Sequence, residues 1–147
     1  VGNNAQLLKI LGFEKEQAFC KCRGQNISFI GKTAKAKPIK EIITILENDL
    51  GALCKTLPFG NKEIQRIAVC SGGGANFQFL QEAVDANVDL YLTGDSTEMY
   101  HLAHDIGVNI IFAGHHATET VGVRALSKIV EKKFCIETLF VDIPTQL

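Results

Sequence analysis

Several features that mark particular classes of protein are missing from this 147-residue sequence. It has no run of ~18 apolar residues, so no ordinary membrane-spanning helix is expected, and its first residues lack the pattern of a signal peptide. The net charge is only −1, without the basic excess that nucleic-acid binding normally requires. The five cysteines include no C-x-x-C pair. Their odd number favours reduced thiols and a cytoplasmic location.

The size and composition of the chain predict one domain, or a domain with an appendage. Hydrophobic residues make up 46% of it, which is enough for a core of ordinary size. The chain begins at Val1 without methionine, so we expect it to be part of a longer protein. Cys20 and Cys22 alternate along a predicted strand and would share one face. They are either two reduced thiols or a weak soft-metal pair, whereas Cys70 lies in an apolar run and is expected to act as a small hydrophobe.

Strand and helix patterns alternate through the chain and predict an α/β fold with a mostly parallel sheet and alternating helices. The predicted strands are 18–22, 27–30, 64–70, 88–92, 108–112 and 136–141, with a further short strand near 52–57. The predicted helices are 4–11, 39–50, 76–86, 96–106 and 118–132, the first capped by Asn4. Residues 1–60 are predicted to form a linking α+β segment. Residues 61–147 are predicted to form a C-terminal α/β domain that carries the metal ligands.

Three turns follow successive predicted strands, and open α/β sheets bind ligands at such strand ends. The first contains Ser71, Gly72, Gly73 and Gly74. Its glycines either bring backbone N–H groups close to an anion or simply allow a tight turn. The second contains Gly94 and Asp95, and Asp95 either caps the next helix with Glu98 or lines the pocket. His101 and His104 on that helix are expected at the surface or behind the ligands.

The third turn, at residues 113–119, carries the strongest candidates for metal ligands. His115 and His116 are adjacent, and Glu119 is spaced from them by four and three residues. Either histidine could share a helical face with the glutamate. Imidazole and carboxylate donors suit Zn, Mn, Fe or Ni. The alternative is a helix start at which Glu119 favours the helix dipole and one histidine caps.

These motifs together resemble the Nif-three-like family, whose members are often labelled GTP cyclohydrolase 1 type 2 homologues. The matching stretches, in order along essentially the whole chain, are Gly2–Leu7, Cys70–Ala75, Asp89–Asp95, Ala113–Glu119 with Gly122 and Ala125–Leu126, and Phe140–Pro144. The resemblance implies a two-domain α/β fold, a two-metal site in the cleft between the domains, and ring-shaped hexamers. It selects His115 and Glu119 as ligands and places His116 behind them or in the cavity wall.

The resemblance also implies further ligands that are absent from this sequence. The family supplies them from an N-terminal segment, as another adjacent His-His pair and an aspartate. The expected function is a metal-dependent hydrolase with two divalent metal ions and a nucleotide or other phosphorylated, anionic substrate. The alternative is a non-enzymatic metal-binding or protein-interaction factor. With only part of the ligand set, this chain alone is expected to bind metal weakly or not at all.

Overall fold

The computed structural model describes residues 1–144, which form five helices and six strands. The helices are α1 (Asn3–Leu11), α2 (Ile39–Leu50), α3 (Phe77–Asp85), α4 (Tyr100–Ile106) and α5 (His115–Phe134). The strands are β1 (Glu14–Cys22), β2 (Gln25–Pro38), β3 (Lys55–Pro58), β4 (Glu63–Cys70), β5 (Leu90–Thr93) and β6 (Asn109–Phe112). The predicted alternation of strands and helices from residue 63 to residue 134 is therefore present.

The prediction of a mostly parallel sheet is wrong. The six strands form one sheet in the order β1-β2-β4-β5-β6-β3, and three of its five pairings are antiparallel. Only β4, β5 and β6 run parallel to one another. The turn at Arg23 and Gly24, both with positive φ, makes β1 and β2 a tight hairpin, and two-residue connections of this kind require antiparallel strands.

Helices cover both faces of the sheet, each over its own apolar core. On one face α1 and α2 contribute Leu7, Leu8, Leu11, Ile42 and Leu46, packed against Ile67 and Val69 of β4. On the other face α3 and α4 contribute Leu80, Ala83 and Ala103, packed against Ala68 and Cys70 of the same strand. Side chains along β4 therefore point alternately into the two cores. The sheet is the middle layer of a three-layer structure. Helix α5 lies beside α1 on the first face.

Helix ends differ from the predictions at three places. The residue before α1 is Gly2, and the Asn4 side chain is used elsewhere instead of capping this helix. Helix α4 begins at Tyr100, not at residue 96, so Asp95 does not cap it. Helix α5 begins directly at His115, three residues before the predicted start. The predicted last residues of α1 and α2, 11 and 50, are confirmed, and the glycines that follow them, Gly12 and Gly51, adopt left-handed backbone angles.

The predicted strand at residues 136–141 is also wrong, because residues 136–144 have no regular secondary structure. Strand β3 occupies the edge of β6 instead, which leaves no neighbouring position there for another strand.

The division of the chain at residue 60 stays a prediction, and strands from both sides of that point share the sheet. None of the helices in the described part of the chain combines the length and the apolar character needed to cross a bilayer.

Candidate functional site

The three turns singled out in the sequence meet at one edge of the sheet. Strands β4, β5 and β6 are parallel, so the turns that follow them emerge side by side. Gly94 N–H donates to the carbonyl of Gly72 at 3.1 Å, and Gly114 N–H donates to the carbonyl of Gly94 at 3.0 Å. Backbone hydrogen bonds therefore tie the three turns into one layer, from which the polar side chains project.

His115 is the centre of the polar group on this layer. Its Nδ1 lies 2.8 Å from Asp95 Oδ1, and its Nε2 lies 3.2 Å from Glu119 Oε2. The hydrogen bond to Asp95 raises the pKa of His115 above its ordinary value, and the negative charge of Glu119 acts in the same direction. The three side chains are 38–46% exposed, so they face solvent and remain open to a ligand.

Gly72 provides the space into which Glu119 and His115 fit. Its φ is +61°, and a Cβ at this position would lie 3.0 Å from His115 Nε2 and still closer to Glu119 Oε1. The absence of a side chain therefore lets the first turn approach the two candidate ligands. Gly72 N–H is held at 3.0 Å by the hydroxyl of buried Thr118, which sits on α5 between them.

The N–H groups of the Ser71–Gly74 turn are partly used within the protein. Ser71 N–H donates to Asn4 Oδ1 at 2.7 Å, and Gly72 N–H donates to Thr118. The next helix, α3, has its own cap in Asn76, which accepts from Phe79 N–H at 3.0 Å. These contacts favour the tight-turn alternative over an anion cradle for this segment.

His116 is engaged on the other side of the α5 start. Its Nε2 lies 2.7 Å from Asp142 Oδ1, and Arg124 packs over the ring of Phe140 at 4.0 Å. These contacts hold residues 140–142 against α5. They form one wall of an open groove of about 480 Å³, which His115 and Glu119 also line. The geometry thus separates the two histidines, since His115 faces the carboxylates of Asp95 and Glu119 and His116 faces Asp142.

His104 lies apart from this group, and His101, whose ring contacts Tyr100 at the start of α4, is not among the residues that line the groove. His104, in the last turn of α4, contacts Asp105 and packs near Phe59 and Tyr100. The chain passes from this end of α4 into the amino end of β6, which is the opposite edge of the sheet from the three turns.

Within residues 1–144, no group of three or more His, Cys, Asp or Glu side chains is arranged to hold a metal ion.

The sequence patterns missed three side chains that organise this region. Thr118 receives the N–H of Gly72, Asn4 receives that of Ser71, and Asn3 Oδ1 receives that of Gly122 on α5 at 2.8 Å. The last contact requires close approach, because a Cβ at Gly122 would collide with Asn3. In the sequence, the signal of such an approach was Gly122, a glycine inside a long predicted helix.

The chain is similar to known proteins along its whole length. The family model Duf34/NIF3 (NGG1p interacting factor 3) matches residues 1–146. The GTP cyclohydrolase 1 type 2 homolog of Pyrococcus horikoshii is 44% identical over 149 residues, covering 100% of this chain and 58% of that protein.

Solved structures give the same result. The ybgI protein, described as of unknown function, superimposes with a TM-score of 0.85 at 33% identity, over 98% of this chain and 56% of that one. The TTHA1606 protein from Thermus thermophilus superimposes with a TM-score of 0.76 at 27% identity, over 100% and 57%. The chain thus spans less than two thirds of each of these relatives. The chain belongs to the Duf34/NIF3 (NGG1p interacting factor 3) family.

Proposed function

We propose that the chain supplies His115 and Glu119 to a dinuclear metal site of a metal-dependent hydrolase. The observation that carries the proposal is the convergence of His115 Nε2 and Glu119 Oε2, 3.2 Å apart, on an open groove. Two donors that each bind an ion such as Zn at ~2.0–2.2 Å are themselves about 3–3.5 Å apart. The pair is therefore spaced for one shared ion, and its donor types suit Zn, Mn, Fe or Ni.

Two neighbours of the pair support the same proposal. Asp95 binds His115 through Nδ1, which leaves Nε2 as the nitrogen that can bind a metal, and metal-binding histidines are commonly oriented by a carboxylate in this way. Gly72 leaves the space beside both donors open, because any side chain there would fill it. In this proposal Asp95 orients a ligand, and the Ser71–Gly74 and Gly94 turns line the pocket.

Two donors are too few for a tight site, since catalytic zinc normally has three protein ligands. We therefore propose that the remaining ligands come from outside this chain, as the Nif-three-like resemblance implies, and that the chain alone binds metal weakly or not at all. Bound metals would lower the pKa of a water molecule and stabilise an anionic oxygen of the substrate. The groove would take a nucleotide or another small phosphorylated, anionic substrate, in line with the GTP cyclohydrolase label of the relatives.

The test uses the full-length protein with Mn, Zn or Fe and a panel of nucleotides and phosphate esters. We expect metal-dependent hydrolysis that His115→Ala and Glu119→Ala abolish. His104→Ala, at the far end of α4 beside Phe59, should leave it unchanged. Turnover without metal, or none across the panel, would contradict the hydrolase proposal. Two tightly bound metals per isolated chain would contradict the division of the ligands.

A second candidate function is a non-enzymatic metal-binding or protein-interaction factor. The observation that favours it is an apolar stripe on α5, where Val123, Leu126 and Ile129 are each about half exposed. Residues spaced by three lie on one face of a helix, so the stripe forms a continuous surface. We propose self-association, as a ring hexamer in the complete protein, as the use of this surface. Sedimentation velocity of the chain and of its Leu126→Glu variant tests this self-association. If both proteins sediment as monomers, the proposal is contradicted.

A further inference from the structure

Two buried thiols lie in contact beneath the first turn of the candidate site. Cys20 on β1 and Cys70 at the end of β4 are 0% and 3% exposed, and their Sγ atoms are 3.1 Å apart. Strand β2 separates β1 from β4, and each step between strands is ~4.8 Å, so a regular sheet would keep these thiols well apart. An irregular backbone at Cys20 brings them together.

Cys20 has a φ of +66°, a left-handed conformation that a residue with a side chain seldom adopts. The N–H groups of Cys20 and Lys21 both donate to the carboxylate of Glu82 on α3, at 3.2 and 3.1 Å. Glu82 therefore holds the strained segment in place. Backbone strain that the surroundings maintain in this way is concentrated at functional positions in proteins.

The Ser71–Gly74 turn rests directly on Cys70 of this pair. A Cβ at Gly74 would lie 2.6 Å from Cys70 Cβ and 2.7 Å from Cys70 Sγ. Cys70 also precedes Ser71 in the chain, and Gly72 then contacts Glu119 and His115. A displacement of the Cys70 side chain is therefore transmitted to the turn that supports the candidate ligands.

We propose that Cys20 and Cys70 form a reversible dithiol–disulfide pair that reacts with hydrogen peroxide, and that oxidation displaces the Ser71–Gly74 turn. The Cys70 thiolate attacks one peroxide oxygen, giving a sulfenic acid and a hydroxide that takes up the thiol proton as water. Cys20 then loses its proton, attacks the Cys70 sulfur and expels the hydroxyl group, which leaves as a second water. Two thiols are oxidised and one peroxide is reduced. An added dithiol reverses the step by exchange.

Cys70 is the attacking thiol in this scheme. The hydrogen bond from Cys20 lowers the pKa of Cys70, whereas the same contact and burial raise the pKa of Cys20. Peroxide reaches the pair when β1, an edge strand with a partner on one side only, opens locally. Forming the bond draws the sulfurs closer than their present contact. This inference stands independently of the proposed hydrolase function.

The test uses the chain with Cys22, Cys54 and Cys135 replaced by serine, beside the unmodified chain. Each is treated with hydrogen peroxide, alkylated, and analysed by peptide mass spectrometry and amide hydrogen exchange. We expect a Cys20–Cys70 cross-linked peptide in both proteins, its loss on adding dithiothreitol, and at least tenfold faster exchange at the amides of Ser71 and Gly72 after oxidation. Cys20→Ser in the same background should leave Cys70 as a sulfenic acid that dimedone traps.

Three outcomes would overturn the proposal. The first is peroxide treatment that modifies exposed Cys135 in the unmodified chain while Cys20 and Cys70 remain alkylatable after unfolding. The second is a cross-link that joins Cys20 to Cys22 instead of Cys70. The third is a Cys20–Cys70 bond that leaves exchange at Ser71 and Gly72 unchanged. Because the unmodified chain is measured in parallel, an unfolded serine variant does not prevent a decision.

Discussion

Replacing Gly94 with alanine tests whether the turns after β4 and β5 are locked together through their backbones. A Cβ at Gly94 would lie 2.7 Å from the carbonyl oxygen of Gly72, 2.8 Å from its nitrogen and 2.8 Å from Thr118 Oγ1. Two of these three atoms belong to the backbone, so no side-chain rotation can relieve the clash. The turns must move apart, which lengthens the 3.1 Å hydrogen bond from Gly94 N–H to Gly72.

The expected loss of stability follows from three contributions. Overpacking of a close contact costs ~1–3 kcal/mol, and a weakened hydrogen bond adds about 1 kcal/mol. Alanine lowers the entropy of the unfolded chain, which offsets ~0.4–1 kcal/mol of this. Gly94→Ala should therefore lower the free energy of unfolding by about 1–3.5 kcal/mol. For a chain of this size that corresponds to a decrease in Tm of roughly 3–10 °C.

Gly73→Ala is the matched control, because among residues 1–144 the one atom within 4 Å of a Cβ there is Asp95 Oδ2 at 3.5 Å, an ordinary contact. This variant should lie within ~0.5 kcal/mol of the parent chain. Urea unfolding followed by circular dichroism measures both. If Gly94→Ala is as stable as Gly73→Ala, the close packing of the two turns is not as described.

Three further predictions concern the residues around His115. His115→Ala should reduce metal occupancy of the full-length protein in elemental analysis far more than His116→Ala does, and equal losses would refute the ligand assignment. Asp95→Asn should lower the pKa of His115, seen by NMR titration of the imidazole, because a charged acceptor is removed. The raised pKa also means that this contact stabilises the folded chain below the ordinary histidine pKa and loses its effect as pH rises through the raised value. Thr118→Val should cost about 1–3 kcal/mol in urea unfolding by leaving Gly72 N–H unpaired, whereas Thr118→Ser should cost less; equal costs would argue against the hydroxyl contact.

Local patterns predicted much of the fold. The predicted helix at residues 39–50 is confirmed as α2, and the strands predicted at 64–70, 88–92 and 108–112 are present as β4, β5 and β6. Strand direction was not predictable in the same way, because it depends on which strands become neighbours. Residues 136–141 have the composition of a strand, yet β3 occupies the edge of the sheet at β6. Strand propensity is expressed only where a partner is available.

The candidate site was predicted in part. The sequence indicated that the turns containing Gly72, Gly94 and His115 would lie at one sheet edge, and the hydrogen bonds between them agree. It left His115 and His116 as alternatives, which only the family resemblance separated. It also left Asp95 as either a helix cap or a pocket residue, and the cap alternative fails because α4 begins four residues later than predicted. The roles of these residues in metal binding stay predictions.

The sequence by itself determined the elements whose causes are local: apolar stripes on helices, glycine at helix ends and the order of strand, turn and helix from β4 to α5. The tertiary structure alone decided that Asp95 meets His115, that Thr118 holds Gly72, and that Cys20 reaches Cys70 across an intervening strand. These contacts join residues 20 to 50 positions apart. They depend on the chain's three-dimensional path, and short-range spacing carries no information about that path.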